Sequence, residues 1–166
     1  VKRFEKDVVA RKPHIVTISA GINDVWHRLE QPHDPKVLEE YEKNLDRMVC
    51  MARDAGAAVL ILSPTVIQED PATEGNQRLK MYIRAGQEVA RRRKARYVNL
   101  NEMFLKVIER RSSIENAAAQ AGEPLTSDGV HMKPLGDTLM AVGVLRALGV
   151  PDEKIGQTDL SKVFDQ

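Results

Sequence analysis

Two short apolar runs constrain the fold more than anything else in this chain. His14–Ala20 (HIVTISA) and Ala57–Leu62 (AAVLIL) are apolar at nearly every consecutive position and rich in β-branched residues. Such runs read as strands buried on both faces, which points to a parallel sheet covered by helices on either side. A third strand is expected at Arg96–Leu100 (RYVNL).

Helical patterns alternate with these strands. Residues 3–11 place Phe4, Val8 and Val9 on one side, and Pro13 ends that helix. Residues 36–55 carry Leu38, Tyr41, Leu45, Met48 and Cys50 near helical spacing, with Gly56 as the C-terminal stop. Asn76–Arg93 is the next helix, with Leu79, Ile83 and Val89 inward. Asn101 is expected to cap a short helix holding Phe104, Leu105 and Ile108, and an alanine-rich helical piece follows over 112–121. Pro134 suits a first helical turn, and Leu135, Leu139, Val142 and Leu145 then form the expected inward stripe. Residues 21–34, 63–75 and 122–133 read as loops. The predicted architecture is α/β, a sandwich of helices on a parallel sheet. Its ligand cleft is expected outside the carboxyl ends of the strands, where Gly21, Asn23 and Ser63-Pro64 fall.

With 166 residues the chain is expected to hold one domain over 1–150 and a loosely packed tail over 151–166. A net charge of +1 gives no push toward nucleic acid or an anionic membrane surface. No apolar run approaches the roughly 18 residues of a membrane span, and no stretch resembles a signal peptide. The single cysteine, Cys50, excludes an internal disulfide and reads as a core position. The sequence starts at Val1, inside an amphipathic pattern, so a trimmed chain or a fragment is expected. The compartment is left open.

Two polar motifs carry chemistry. Gly21-Ile22-Asn23-Asp24 follows the first strand. Glycine permits unusual backbone angles, and the Asn23 amide can aim an N–H at a developing oxyanion. The same four residues are also ordinary turn chemistry, with Asp24 expected to cap the following turn or hold the loop. Asp128-Gly129-Val130-His131 sets a carboxylate three residues before an imidazole. That spacing lets Asp128 reach Nδ1–H and fix the tautomer, leaving Nε2 free to take a proton from a hydroxyl. The bland alternative is a surface aspartate beside a capping histidine.

In this order and on this scaffold, the motifs resemble the Asn and His blocks of the SGNH hydrolases, the GDSL esterase/lipase family. IVTISA before Gly21 and Met132-Lys133-Pro134-Leu135-Gly136 after His131 extend the resemblance, which covers roughly residues 3 to 148. It implies a three-layer, flavodoxin-like α/β/α fold and carboxylic-ester hydrolysis. It implies His131 as general base, Asp128 as its orienting acid, and Asn23, beside Gly21, as an oxyanion-hole donor. The substrate would be a small ester, such as an acylated sugar or lipid, and no cofactor or metal is implied. The family's Gly-Asp-Ser block and its Gly block are absent from the sequence. Ser19, Ser63 and Ser127 read as structural, so the nucleophile is expected in an upstream segment of about 40–60 residues, and the chain alone is expected to be inactive. Without that segment, strand 14–20 becomes an open edge, and homo-oligomers through it are expected.

The alternative function is a non-catalytic binding domain on the same scaffold. His27, His33 and Asp34 match no strong metal-ligand spacing. Arg91-Arg92-Arg93-Lys94 with Arg96 reads as a solvated run at a helix end rather than a nucleic-acid site. Trp26 is expected either to line the cleft or to cover the core.

Overall fold

The computed structural model describes residues 1–112 and 123–157. The chain opens with α1 (Phe4–Asp7) and a 3-10 turn (Val9–Arg11), then enters β1 (Ile15–Ser19). The order continues α2 (Ile22–Trp26), α3 (Pro35–Asp54), β2 (Ala58–Leu62), α4 (Glu74–Arg93), β3 (Arg96–Val98) and α5 (Leu100–Ser112). After the undescribed stretch come α6 (Pro134–Ala147) and α7 (Asp152–Gly156). The alanine-rich piece expected over 112–121 lies, from residue 113 on, outside the described residues, as does the tail beyond 157.

The sheet is parallel throughout, in the order β1-β2-β3. Its helices form a layer on each face. Val16, Ile18, Val59 and Ile61 face α3 and α4, where they pack with Leu45, Val49, Leu79 and Val89. Leu60, Leu62 and Val98 face the other way, onto Met103 of α5 and Met140, Val144 and Ala147 of α6. Burying a side chain such as Leu45 or Leu79, each about 1% exposed or less, contributes roughly 1.5–3 kcal/mol apiece.

β2, flanked on both sides, is buried from Val59 to Leu62 as its continuous apolar run requires. β1 departs from the two-faced burial read from its apolar run. It alternates: Val16 and Ile18 are buried, while Ile15 is 48% exposed and Thr17 and Ser19 are exposed too. The reason is positional. Among the described residues β1 pairs only with β2, and only its α3/α4 face is covered.

Helix ends follow local chemistry. Asp34 accepts the Lys36 N–H at 3.0 Å and Pro35 begins α3, so Asp34 serves a helix start. Thr73 caps α4, whose first residue, Glu74, is two residues earlier than the Asn76 start that periodicity placed. Asn99, not Asn101, caps α5 by accepting the Glu102 N–H. Asn101 is buried inside the helix, where its backbone N–H donates to Ser63 Oγ at 2.9 Å and its side chain donates to the Thr65 carbonyl. The basic run is not merely solvated. Arg92 and Arg93 clamp Asp46, and Arg92 also reaches Glu42, tying α4 to α3. Hydrogen bonds from Arg93 and then Arg92 hold the Asp46 carboxyl down to about 2.

The inward face of α6 is also corrected. Leu135 and Leu145 are exposed, at 39% and 36%. Leu139 does pack inward, but it shares the contact face with Gly136, Met140, Gly143, Val144 and Ala147. The two glycines decide this, because they let the helix backbone approach its neighbours. A Cβ on Gly143 would sit 2.7 Å from Leu100 Cδ2. A Cβ on Gly136 would overlap the Leu125 carbonyl oxygen and lie 2.8 Å from Met132 Sδ. Gly136→Ala is therefore expected to destabilise the fold by about 1–3 kcal/mol through overpacking, measured by thermal or urea unfolding. A neutral or stabilising result would mean α6 does not dock this closely.

Candidate active site

Gly21 starts the site. β1 ends at Ser19, and the chain then turns sharply through Gly21 at φ 103°, a left-handed conformation that L side chains rarely adopt. There is no room for one either: a Cβ would lie 2.9 Å from Tyr41 Cε2 and 3.3 Å from Pro64 Cγ. The expected loop over 21–34 thus begins with the short helix α2, pinned to the core by Val25 at 2% exposure. Asn23 stands in its first turn, exposed, and among the described residues its side chain makes no hydrogen bond. Asp24 beside it is half-buried, and burial raises its carboxyl above the ordinary value.

The second half of the site is a compact turn. Ser127 N–H donates to the His131 carbonyl at 2.8 Å, and Lys133 N–H to the Leu125 carbonyl at 2.9 Å, closing a small hairpin with a Thr126–Met132 bridge. Asp128 organises the interior of that turn. Its Oδ1 accepts the N–H groups of Val130 (3.1 Å) and His131 (2.9 Å), and its Oδ2 lies 2.7 Å from His131 Nδ1. One carboxylate therefore builds the turn and orients the imidazole. The backbone N–H of His131, its side chain and the Val130 N–H together hold the Asp128 carboxyl down to about 2.

The two halves meet. Gly21, Ile22, Asn23, Pro64, His131 and Met140 line one open cavity of about 600 Å³, at the carboxyl ends of β1 and β2. Asn23 and His131 face it from different elements, and Ser19 also borders it. Trp26 belongs to this region: its ring meets the His131 ring edge-on, with centroids 5.5 Å apart and planes at 84°. The sequence left Trp26 between cleft and core; its ring meets the imidazole edge-on and also packs on the core cluster. His27 is exposed beside Trp26, with ring centroids 4.7 Å apart. Among the described residues, no group of three or more His, Cys, Asp or Glu side chains is placed to hold a metal ion. None of their helices is long and apolar enough to cross a membrane.

Sequence reasoning missed the residues that tie the turn to the body of the protein. Gln68 N–H donates to the Gly129 carbonyl at 2.8 Å, and Glu69 Oε1 accepts both N–H and Oγ–H of Thr126. Nothing local marks Gln68 or Glu69, since the partners lie some 60 residues downstream.

Comparison with known proteins agrees with this fold. The profile of the GDSL-like Lipase/Acylhydrolase family matches residues 1–139. An acetylxylan esterase of Geobacillus stearothermophilus is 27% identical over 150 residues, covering 89% of this chain and 64% of the relative. The crystal structure of a catalytic mutant of an acetylxylan esterase from that organism superposes with a TM-score of 0.74 at 27% identity, covering 90% of this chain and 66% of that one. An alpha/beta hydrolase enzyme from the metagenome of Lake Arreo, Spain, has a TM-score of 0.73, 27% identity and the same coverages. The chain spans just under two thirds of the length of these proteins.

The Asp128 carboxyl gives a direct check on the turn. Its folded value near 2 lies below its ordinary value of 3.8, so the charged form stabilises the turn. That contribution is complete above pH 3.8 and is lost as pH falls through about 2. A carboxyl-carbon NMR titration is expected to show a midpoint near 2 for Asp128. A midpoint near 3.8 would mean that the turn does not hold its N–H groups on this carboxylate.

Proposed function

Because the chain belongs to the GDSL-like Lipase/Acylhydrolase family, we propose that the protein hydrolyses carboxylic esters through a serine acyl-enzyme. The observation that carries this reading is the meeting of Asn23 and His131 on one cavity, with Asp128 2.7 Å behind the imidazole. Asp128 accepts the Nδ1–H and fixes the tautomer in which Nε2 is unprotonated. Nε2 takes the serine proton as Oγ attacks the ester carbonyl, and the imidazolium then returns a proton to the departing alcohol oxygen. Water repeats the sequence on the acyl-enzyme and releases the acid. The Asn23 side-chain N–H, uncommitted among the described residues, stabilises the oxyanion, and Gly21 supplies the turn that presents it.

The nucleophile is a serine outside the 166 residues, in this reading. No Gly-Asp-Ser occurs in the sequence. Ser63 is buried at 1% exposure with its Oγ accepting the Asn101 N–H. Ser127 Oγ donates to the His131 carbonyl. Ser19 borders the cavity and is the serine to exclude by experiment. Residues 1–150 form part of the esterase domain. The substrate class is an acetylated sugar, a reading supported by the acetylxylan esterase relative and by a cavity that opens broadly to solvent.

The test uses the complete protein with p-nitrophenyl acetate, then acetylated xylo-oligosaccharides with acetate release as the readout. Removing the base with His131→Ala is expected to lower kcat/KM by about 10³-fold or more. Asp128→Asn keeps an oxygen for the turn but presents an amide N–H to Nδ1. That forces the wrong tautomer, and a loss of roughly 10²–10⁴-fold is expected. Asn23→Ala is expected to cost on the order of 10²-fold in kcat, and Ser19→Ala to leave turnover intact. Unchanged turnover in His131→Ala would remove the imidazole from the mechanism, and loss of turnover in Ser19→Ala would move the nucleophile to β1.

A further inference from the structure

We infer that Glu69 is a positioning residue for the Asp128–His131 pair, acting through Thr126. The inference rests on the ester-hydrolysis reading and adds a residue to it.

The turn 126–131 buries Val130 in the core, and polar contacts add to that hold. Asp128 satisfies N–H groups inside the turn, so it shapes the turn without fixing its place in the protein. The placement comes from the segment after β2. That segment is itself held: Asn76, 5% exposed at the start of α4, accepts the Ile67 N–H at 3.0 Å and donates to the Ile67 carbonyl at 2.8 Å. The same side-chain amide donates to the Asp70 carbonyl at 2.7 Å, so both ends of residues 67–70 are pinned to α4.

From this pinned segment two contacts reach the turn. The backbone contact runs from Gln68 N–H to the Gly129 carbonyl at 2.8 Å, with Gln68 held at φ 61°. The side-chain contact is Glu69 Oε1, which accepts Thr126 N–H at 2.9 Å and Thr126 Oγ–H at 3.1 Å. Thr126 is 6% exposed, so its N–H and hydroxyl depend on this carboxylate for a partner. Hydrogen bonds to an ionised carboxylate are stronger than neutral ones. Arg111 of α5 faces the other oxygen, Oε2, at 3.7 Å, which orients the carboxylate from behind.

Thr126 lies two residues before Asp128. A shift of Thr126 moves the Asp128–His131 pair relative to Asn23, which stands on a different element. Glu69 does not line the cavity, and its carboxylate bonds Thr126 rather than His131, so its effect is geometric. The relevant sensitivity is steep, because a misplacement of about 1 Å costs on the order of 10²-fold in rate.

Three variants of the complete protein separate the possibilities, with p-nitrophenyl acetate as probe. Glu69→Ala is expected to lower kcat by about ten- to hundred-fold while KM stays within about two-fold. Glu69→Gln keeps an acceptor oxygen for Thr126 and gives up only the charge facing Arg111, so kcat is expected within about five-fold of wild type. Thr126→Val removes one of the two donors and should fall between them. A second readout needs no turnover: amide exchange at Val130 and His131 is expected to accelerate in Glu69→Ala and to recover in Glu69→Gln. Wild-type kcat together with wild-type exchange in Glu69→Ala overturns the inference, as does a Gln variant no better than the Ala variant. If Glu69→Ala does not fold, wild-type kcat and exchange in Thr126→Val overturn it. A wild-type protein without esterase turnover would sink the hydrolysis reading alone, and the exchange measurements would still decide the role of Glu69.

Discussion

The chemistry hangs on the last rung between β1 and β2, where Ser19 pairs with Leu62. Parallel pairing sends both strands out of the sheet in the same direction. Two segments far apart in sequence therefore emerge side by side. One becomes the Gly21 turn and α2; the other becomes Ser63-Pro64 and the run through Ile67. Gly21 is wedged between Tyr41 and Pro64, so the two exits also fix each other. An antiparallel pairing of the same two strands would send these segments to opposite ends of the sheet and leave no common cleft.

From that rung the support passes outward by hydrogen bonds. Asn76 fixes Ile67, and residues 68 and 69 fix Gly129 and Thr126. Apolar contacts back this up: Leu125 is fully buried beside Val66, Phe104 and Ile108, and Val130 is 7% exposed. α6 closes the assembly, because Gly136 brings its first turn against the Leu125 carbonyl. The turn that carries His131 is thus gripped on its flanks while its tip faces the cavity.

What could be read from residues alone follows from the range of each cause. The central strand was legible because four consecutive buried residues leave an unbroken apolar run at Val59–Leu62. The Asp128–His131 contact was legible because three-residue spacing is a local property, and the turn bears it out at 2.7 Å. The half-exposure of β1 matches the open edge expected for strand 14–20: among the described residues β1 pairs only with β2, and only its α3/α4 face is covered. The inward face of α6 was hidden. That helix is apolar nearly all round, so periodicity has no preferred direction, and leucines outvote glycines in any hydropathy reading. Only the close approach at Gly136 and Gly143 settles it. Asn101 misled because Asn99, two residues earlier, offers the same capping chemistry at the position where the helix starts. Glu69 left no trace because its partner Thr126 is 57 residues away.

The Asp128–His131 pair also shows how a carboxylate is kept charged without being buried. Its side chain is 45% exposed and that of His131 is 68% exposed. Taking the pair out of water would raise the carboxyl and work against ionisation. Here the fall to about 2 comes from two backbone N–H groups and the imidazole. Those donors are supplied by the turn itself, so forming the turn and charging the carboxylate are one event. The arrangement leaves the cavity mouth open, because nothing has to close over the pair to set its ionisation. The demand moves from desolvation to geometry: an exposed pair is only as well placed as the segment that holds it. That is why the bonds from Gln68 and Glu69 matter more here than they would for a pair sealed in the core.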